Sequence, residues 1–555
     1  MKKERMIPKL FCVMRGYTAK RLSKDVVSGI IVAIIALPLS IALALASGVA
    51  PEQGIYTAII AGFIISFLGG SRVQISGPTA AFAGIVGGIV AKRGMDGLVV
   101  ATIIAGGLLI VMGLLRLGNL IKFIPFTITV GFTAGIAVSI VIGQLKDFLG
   151  LTYTADVRPL EAVEKLKAVV RFIATIRWQA VVVGLICLTI LIIWPKINQV
   201  VPASLIAVLV GVTLVKGLDL EVNTIGDLYT IKGGLPSFRL PGLSWNMLSD
   251  SFNDGMTIAV LAAIESLLSC VVADSMVNST HFSNMELIAQ GVGNIGSVLF
   301  GGIPATGAIA RTAANIKSGG RTPIAGMVHS VVLLLVLLVL MPYAALIPMP
   351  TIAAILFMVA YNMSGWRTFI KILRSAPKSD VAVLLATFAL TVIFDLVVAI
   401  EVGMLVALVL FMKRMSSEAT VQGWTYFDPQ QDSESIDLRV VPEYIRVYEI
   451  EGPLFFGSVE AIGQISLRSF TKVLILRMRS VPAIDMTALQ ALEELIESCA
   501  KEGVQVIFSH VNEQPMKVLE KSGIVDIIGC DHFCGHIDEA LARAEQIGGA
   551  KRNKK

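Results

Sequence analysis

The feature that most constrains this chain is a break. Phe300–Arg311 reads FGGIPATGAIAR within a strongly apolar stretch. Gly301, Gly302 and Pro304 cannot sustain an ordinary helix there. The spacing predicts a helix that restarts near Ala305 or Thr306 and runs to Ser318. At about 1.5 Å per residue, such a segment is too short for a hydrocarbon core of roughly 30 Å. A helix that begins inside a membrane exposes unpaired amide N–H groups at the positive end of its dipole. That end suits an anion, and Arg311 adds a cation beside it. A second stretch has the same plan. Gly69–Thr79 reads GGSRVQISGPT and runs into the short apolar segment Ala80–Ala91. Two interrupted segments in corresponding halves mark a transport site between inverted repeats. The plainer alternative is a pair of re-entrant or tightly packed helices whose glycines serve close contact.

Composition fixes the class. Of 555 residues, 55% are hydrophobic and 15% charged, the balance of a polytopic membrane protein. The net charge of +6 is too modest to require nucleic acid. Cys12, Cys187, Cys270, Cys499, Cys530 and Cys534 are scattered, so no disulfide framework is implied. No nucleophile–base set and no Walker-type loop is visible, which speaks against an enzyme and against an ATP-driven pump. No cofactor is implied. Cys530–His536 (CDHFCGH) lacks a second well-spaced pair of metal ligands and reads as an ordinary strand-and-helix edge. Lys2, Lys3, Arg5, Lys9, Arg15, Lys20, Arg21 and Lys24 face a single acid, Glu4. Residues 1–24 therefore read as a cytoplasmic interfacial segment, without a signal-cleavage site.

Apolar spans are expected at 26–48 (interrupted by Pro38), 52–70, 96–115, 120–146, 178–194 and 200–217, with the first half-helix at 76–91 and an amphipathic connector at 150–177. After a polar loop (219–250), spans recur at 251–274, 284–300, 322–343, 348–363, 380–394 and 396–413, with the second half-helix at 305–318. Each set counts about seven, a 7+7 arrangement within a membrane domain at 25–415. The loop with Arg367, Lys371, Arg374 and Lys378 has no acid before Asp380, so both termini are expected in the cytoplasm. Residues 416–440 read as a linker. Residues 441–550 alternate strands (Tyr444–Ile450, Val473–Met478, Val504–Phe508) with helices (Val459–Arg468, Ala488–Ala500, Glu513–Ser522), a small α/β domain.

Several separated motifs carry a resemblance. Ile75–Ala81 (ISGPTAA), Ile264–Leu268 (IESLL) with Val272–Asp274 (VAD), and Gly301–Pro304 with Arg311 resemble the SulP family of sulfate permease and prestin-type anion transporters. Gly452–Gly457 (GPLFFG) and Ile484–Thr487 (IDMT) resemble its C-terminal STAS domain. The likeness covers nearly the whole chain. Among bacterial members the chain resembles the branch containing the C4-dicarboxylic acid transporter DauA, and bicarbonate and sulfate transporters share the same motifs. This resemblance implies a core domain of spans one to four and eight to eleven, and a gate domain of five to seven and twelve to fourteen. It further implies elevator-like movement of the core, an inner-membrane location, a homodimer surrounded by lipid, and a cytoplasmic regulatory protein on the STAS domain.

The candidate site follows. Arg311 lies six positions before Lys317, roughly 9 Å deeper into the membrane, and an intramembrane charge is a functional candidate. The bland alternative is an arginine snorkelling to the interface. Thr79 and Thr306 supply hydroxyls beside the half-helix ends, where each is otherwise an N-cap. Ala305 and Gly307 supply backbone. Pro38-Leu39-Ser40 departs from the Pro-Gln-Gly common in the family, so Ser40 is expected to stand in for the missing polar group. Glu265 lies inside an apolar span, with Ser269 on the same helical face. Either it pairs with Arg311, or it is the coupling site for a proton; sodium-coupled relatives carry aspartate at the matching place. Thr487 matches the phosphorylated position of regulatory STAS domains; a helix N-cap, with Asp485 also available, is the competing role. The expected function is secondary active transport of a small anion, sulfate, bicarbonate or a C4-dicarboxylate, coupled to protons. The alternatives are a sodium-coupled bicarbonate transporter, an anion channel or exchanger, and a non-transporting motor.

Overall fold

Long apolar runs punctuated by glycine and proline become helices that end where those residues fall. The computed structural model describes residues 6–14, 16–118, 125–154, 157, 159, 161–198, 201–229, 234–242, 244–394, 396–423, 441–467 and 469–552. Lys2, Lys3, Glu4, Arg5 and Arg15 of the basic segment, and residues 424–440 of the expected linker, lie outside these. Two compact units result, Met1–Met404 and Leu405–Lys555.

The first unit begins with α1 (Lys9–Val13), α2 (Ala19–Ala46) and α3 (Pro51–Leu68), followed by the two-residue strand β1 (Ser76–Gly77) and α4 (Ala80–Leu114). Gly94, with φ of 68°, breaks α4 into a short first half and a full-length second half. Next come α5 (Phe126–Leu149), the amphipathic connector α6 (Ala162–Arg171), α7 (Trp178–Ile197), α8 (Ala203–Gly217) and the short α9 (Ile225–Leu228). The second set repeats the plan: α10 (Trp245–Val277), α11 (Ser283–Leu299), the strand β2 (Thr306–Gly307), the short α12 (Ile309–Lys317), α13 (Ile324–Ala344), α14 (Met349–Met363), α15 (Trp366–Ser375), α16 (Lys378–Ile393) and α17 (Leu396–Ser417). Among the described residues, with α4 counted as two, each set holds seven membrane helices once α1, α6, α9 and α15 are set aside.

Three expectations are corrected. The second half-helix starts at Ile309, not at Ala305 or Thr306, because Thr306–Gly307 is extended and pairs with β1. The basic stretch beginning at Trp366 is a helix rather than a loop. The span placed at 251–274 starts at Trp245, where Ser244 caps it by accepting from the Met247 amide at 3.3 Å.

Packing sorts these helices into two groups. The core joins α2, α3, α4, α10, α11, α12 and α13; α4 lies against α10 and α11, and α13 against α2 and α3. The gate joins α5, α7, α8, α14 and α16, with Phe148, Val183, Cys187, Ala353 and Ile355 at its centre.

The second unit holds a five-stranded sheet in the order β3 (Thr420–Gly423), β4 (Ile445–Glu451), β5 (Val473–Ser480), β6 (Gln505–Ser509), β7 (Phe533–Cys534). Only the β3–β4 pair is antiparallel. β3 falls within the expected linker, and Val459–Gln464 is a 3-10 helix rather than an α-helix. β5 is buried along Val473–Met478, as a central parallel strand requires. Alternate residues of the sheet face α18 (Met486–Lys501), α19 (Glu513–Lys521) and α20 (Ile524–Ile528) on one side and α21 (Ile537–Arg552) on the other. In the first of these layers, burial pushes the Cys499 thiol up to about 11. The CDHFCGH stretch forms the edge strand β7 and the approach to α21.

Candidate functional site

The two breaks meet. Ser76 is registered against Gly307 and Gly77 against Thr306 in an antiparallel pair, and the Ala308 amide donates to the Ile75 carbonyl at 2.8 Å. One contact thus joins the starts of α4 and α12, whose first-turn amides have no intrahelical acceptor. The two dipoles place partial positive charge on either side of this bridge.

Buried polar side chains hold both broken segments. Glu286 of α11 lies opposite the first. Its carboxylate accepts from the Gly70 amide (2.9 Å), the Ser71 amide (3.3 Å), Gln74 (2.7 Å), Gln290 (2.9 Å) and Ser266 (3.3 Å). Gln74 in turn accepts from the Cys270 thiol at 2.8 Å. The Ile75 amide donates to Thr312, and Asn315 donates to the Val73 carbonyl. Asn294, two turns beyond Glu286, grips the second segment: it accepts from the Ala305 amide and donates to the Ala305 carbonyl, both at 2.8 Å. A third clamp is Asp25 of α2, which accepts from Tyr17, Thr322 and the amides of Arg321 and Thr322 ahead of α13.

Against this scaffold each expected site residue has a definite place. Arg311 is 3% exposed. Its Nη2 donates to the Pro78 carbonyl at 3.2 Å, while Nη1 is buried with no hydrogen-bond partner. A Cβ added to Gly77 would lie 2.6 Å from that Nη1, so the strand passes directly over the guanidinium. Burial overturns snorkelling for Arg311. Glu265 is half-buried and accepts from the Thr79 hydroxyl at 2.9 Å. Among the described residues no ion pair within 4 Å includes Glu265 or Arg311, so the two do not neutralise one another directly. Ser269, one turn along α10, is buried with its hydroxyl unpartnered.

Thr79 occupies the cap position of α4, but its hydroxyl goes to Glu265 rather than to the helix end. Thr306 is no cap at all: it lies in β2 and donates to the Ala262 carbonyl of α10 at 3.1 Å. The Ala305 amide is taken by Asn294, so Ala305 serves the scaffold. Gly307 lies so close to Gln74 that any side chain there would collide with it. Ser40 is fully buried with an unpartnered hydroxyl. Leu39 turns to the gate and packs against the Phe148–Cys187 cluster. In the second unit, Asp485 caps α18 through the Ala488 amide (2.9 Å) and also accepts from the Phe456 amide (2.9 Å). Thr487 is therefore not the cap; it is exposed in the first turn.

The sequence reading passed over Glu286, Gln290 and Asn294. Their spacing of four places three polar side chains on one face of an otherwise apolar helix, which is a usable signal. It also passed over His329, fully buried on α13 near Gly62 and β1, with neither ring nitrogen hydrogen-bonded.

Comparison with known proteins agrees with this architecture. Residues 22–387 match the model of the sulfate permease family, and residues 435–540 match the STAS domain. YvdB of Bacillus subtilis (strain 168), named as a candidate sulfate transporter, is 40% identical over 534 residues, which cover 95% of this chain and 98% of that protein. The bicarbonate transporter BicA of Synechocystis sp. is 32% identical over 95% of this chain and 94% of its own. Among solved structures, the transmembrane domain of a cyanobacterium bicarbonate transporter BicA matches with a TM-score of 0.61 at 30% identity, covering 70% of this chain and 98% of that one. The overall structure of SLC26A9 matches with a TM-score of 0.87 over 99% of this chain and 94% of that one; at 18% identity this is a likeness of fold. The chain belongs to the sulfate permease family of anion transporters and carries a C-terminal STAS domain.

Proposed function

We propose that the protein is a secondary active anion transporter that binds its anion at the β1–β2 junction and couples its movement to a proton at Glu265. The observation that carries this is the junction itself: two half-helix starts meet beside a buried arginine that keeps one guanidinium nitrogen free of protein acceptors. Arg311, Thr79, Ser40 and the open first-turn amides are the groups assigned to the anion. Thr306 and Gly307 shape the junction from the other strand. Glu265 and Ser269 form the coupling site.

The Thr79–Glu265 hydrogen bond supports the coupling. It ties the acid to the cap of the same half-helix that faces the anion, so a change of charge on Glu265 is felt at the anion's end of α4. The core carries the bound anion past the gate in an elevator-like movement. The relatives' names favour sulfate or bicarbonate; a C4-dicarboxylate is a third candidate. The protein works in the inner membrane as a homodimer with both termini in the cytoplasm. Thr487 is the candidate regulatory position on the STAS domain, and that domain is the docking place for a cytoplasmic regulatory protein.

Uptake into proteoliposomes, with sulfate, bicarbonate and succinate each offered under imposed proton and sodium gradients, tests this. Uptake of one anion should accelerate when the outside is acidified and should ignore sodium. Glu265→Gln, which mimics the protonated acid, should still exchange anion for anion but lose the response to the proton gradient. Proton-driven accumulation by Glu265→Gln would remove Glu265 from coupling, and a wild type that needs sodium and ignores pH would make this a sodium site. An uptake that stays passive under every gradient would favour the channel.

A further inference from the structure

The helix α15 has a chemistry that transport does not use. It joins α14 to α16, and so lies at the end of two membrane helices. Gly365, with φ of 55°, makes the turn into it, and Pro377 follows it. None of its ten residues is buried. One flank is fixed to the protein: Phe369 is half-buried and meets Phe388 of α16 edge-on, ring centroids 5.3 Å apart. A second flank is apolar and open. Trp366, Ile370 and Leu373, at spacings of four and three, are 44%, 36% and 38% exposed. A third flank, one position along, carries Arg367, Lys371 and Arg374, and Lys378 continues it; all four are exposed. No acid occurs from Tyr361 to Ser379. Among the described residues none of these four cations is in an ion pair within 4 Å; Arg367 instead stacks over the Trp366 ring at 5.5 Å.

We propose that α15 is a docking surface for anionic phospholipid headgroups. Its place at the ends of two spans decides the occupant. An apolar flank at that depth meets acyl chains, and basic side chains extending from the neighbouring flank reach the phosphate layer. Trp366 belongs at such a boundary, apolar body inward and indole N–H outward. Four cations without a neighbouring acid select negatively charged lipid over zwitterionic lipid, an attraction worth about fivefold per basic residue near a charged surface. The expected cytoplasmic location of this stretch faces it to the leaflet that carries anionic lipid. α15 continues from α14 and packs on α5 and α16, all of the gate, so bound lipid would hold the gate side of the molecule to the leaflet. The inference does not depend on which anion is carried, or on how.

Trp366 is the probe. Trp178, Trp194, Trp245 and Trp424 are replaced by phenylalanine, and the full-length protein is reconstituted in phosphatidylcholine vesicles. These contain an equal minor fraction of either brominated phosphatidylglycerol or brominated phosphatidylcholine. The brominated anionic lipid should quench Trp366 more strongly. The excess should shrink in high salt and fall about fivefold with each of Lys371→Gln and Arg374→Gln. Should the quadruple variant not fold, the difference signal between the parent protein and Trp366→Phe reads the same quantity. Equal quenching by both lipids overturns the proposal, since α15 would then sit in the bilayer without headgroup preference. Absence of quenching by either lipid also overturns it, since the face would then be covered by protein, such as a second copy of the chain.

Discussion

Core and gate are both bundles of apolar helices, yet they are held by different forces. The core buries Asp25, Gln74, Glu286, Gln290, Asn294, Arg311 and Asn315, and most of their hydrogen bonds run between separate segments. In the gate, Thr133 and Thr391 return their hydroxyls to carbonyls of their own helices, and contact between helices rests mainly on apolar side chains around Phe148, with the Cys187 thiol reaching Thr351 at 3.3 Å and the Ala207 carbonyl at 3.5 Å. Directional bonds in a low dielectric specify one arrangement and penalise every other. Apolar contact is non-directional and tolerates displacement. The difference suits the proposed division of labour: the core, to which the ion site is assigned, is locked by hydrogen bonds, and the gate, the proposed surface for its movement, is held mainly by apolar contact.

This contrast is open to attack, most forcefully at Glu286. Glu286→Ala removes the acceptor of five hydrogen bonds in the core, two of them from backbone amides, and should remove at least about 3 kcal/mol of stability. Thermal unfolding in detergent, followed by intrinsic fluorescence, should show early melting or aggregation. A wild-type melting profile would mean that the network does not hold the core.

Next in size is Arg311→Ala. Among the described residues the guanidinium gives only one hydrogen bond, so the fold should survive. Anion affinity should fall at least about tenfold, the worth of a hydrogen bond to a charged group. The concentration dependence of uptake checks this, and an unchanged half-saturation concentration would take Arg311 out of the site. The smallest effect belongs to the seam. Leu39→Ala removes a half-buried side chain between core and gate and should weaken stability by about 1–2 kcal/mol. It should change the maximal uptake rate a few-fold while leaving half-saturation alone. A shift in half-saturation instead would show that Leu39 touches the anion.

The breaks at Gly69–Gly70 and Gly301–Gly302 were legible because glycine and proline act locally. The pairing between them was not, since it joins residues from opposite halves of the membrane domain, and that pairing delays the restart of α12 to Ile309. Arg311 and Glu265 stood out as charges in apolar surroundings. Their partners did not: that Thr79 would reach Glu265, or that Asn294 would occupy the Ala305 amide, depends on how α10 and α11 cross the broken segments. In the second unit, β4, β5 and β6 announced themselves as apolar runs. The four residues of β3 had no signal of their own and gain strand character only by pairing with β4.

The close passage of Gly77 over Arg311 also sets an order for descent. While the arginine stands, an alanine at 77 sets its methyl group against the guanidinium and forces the end of that side chain to shift. Once a lineage has traded the arginine for something shorter, that cost is gone, and an arginine returning opposite alanine meets it again unless the glycine is restored first. The two positions behave as a ratchet. Members of the family that abandoned a fixed intramembrane cation are expected to regain it less readily by a single substitution than they lost it.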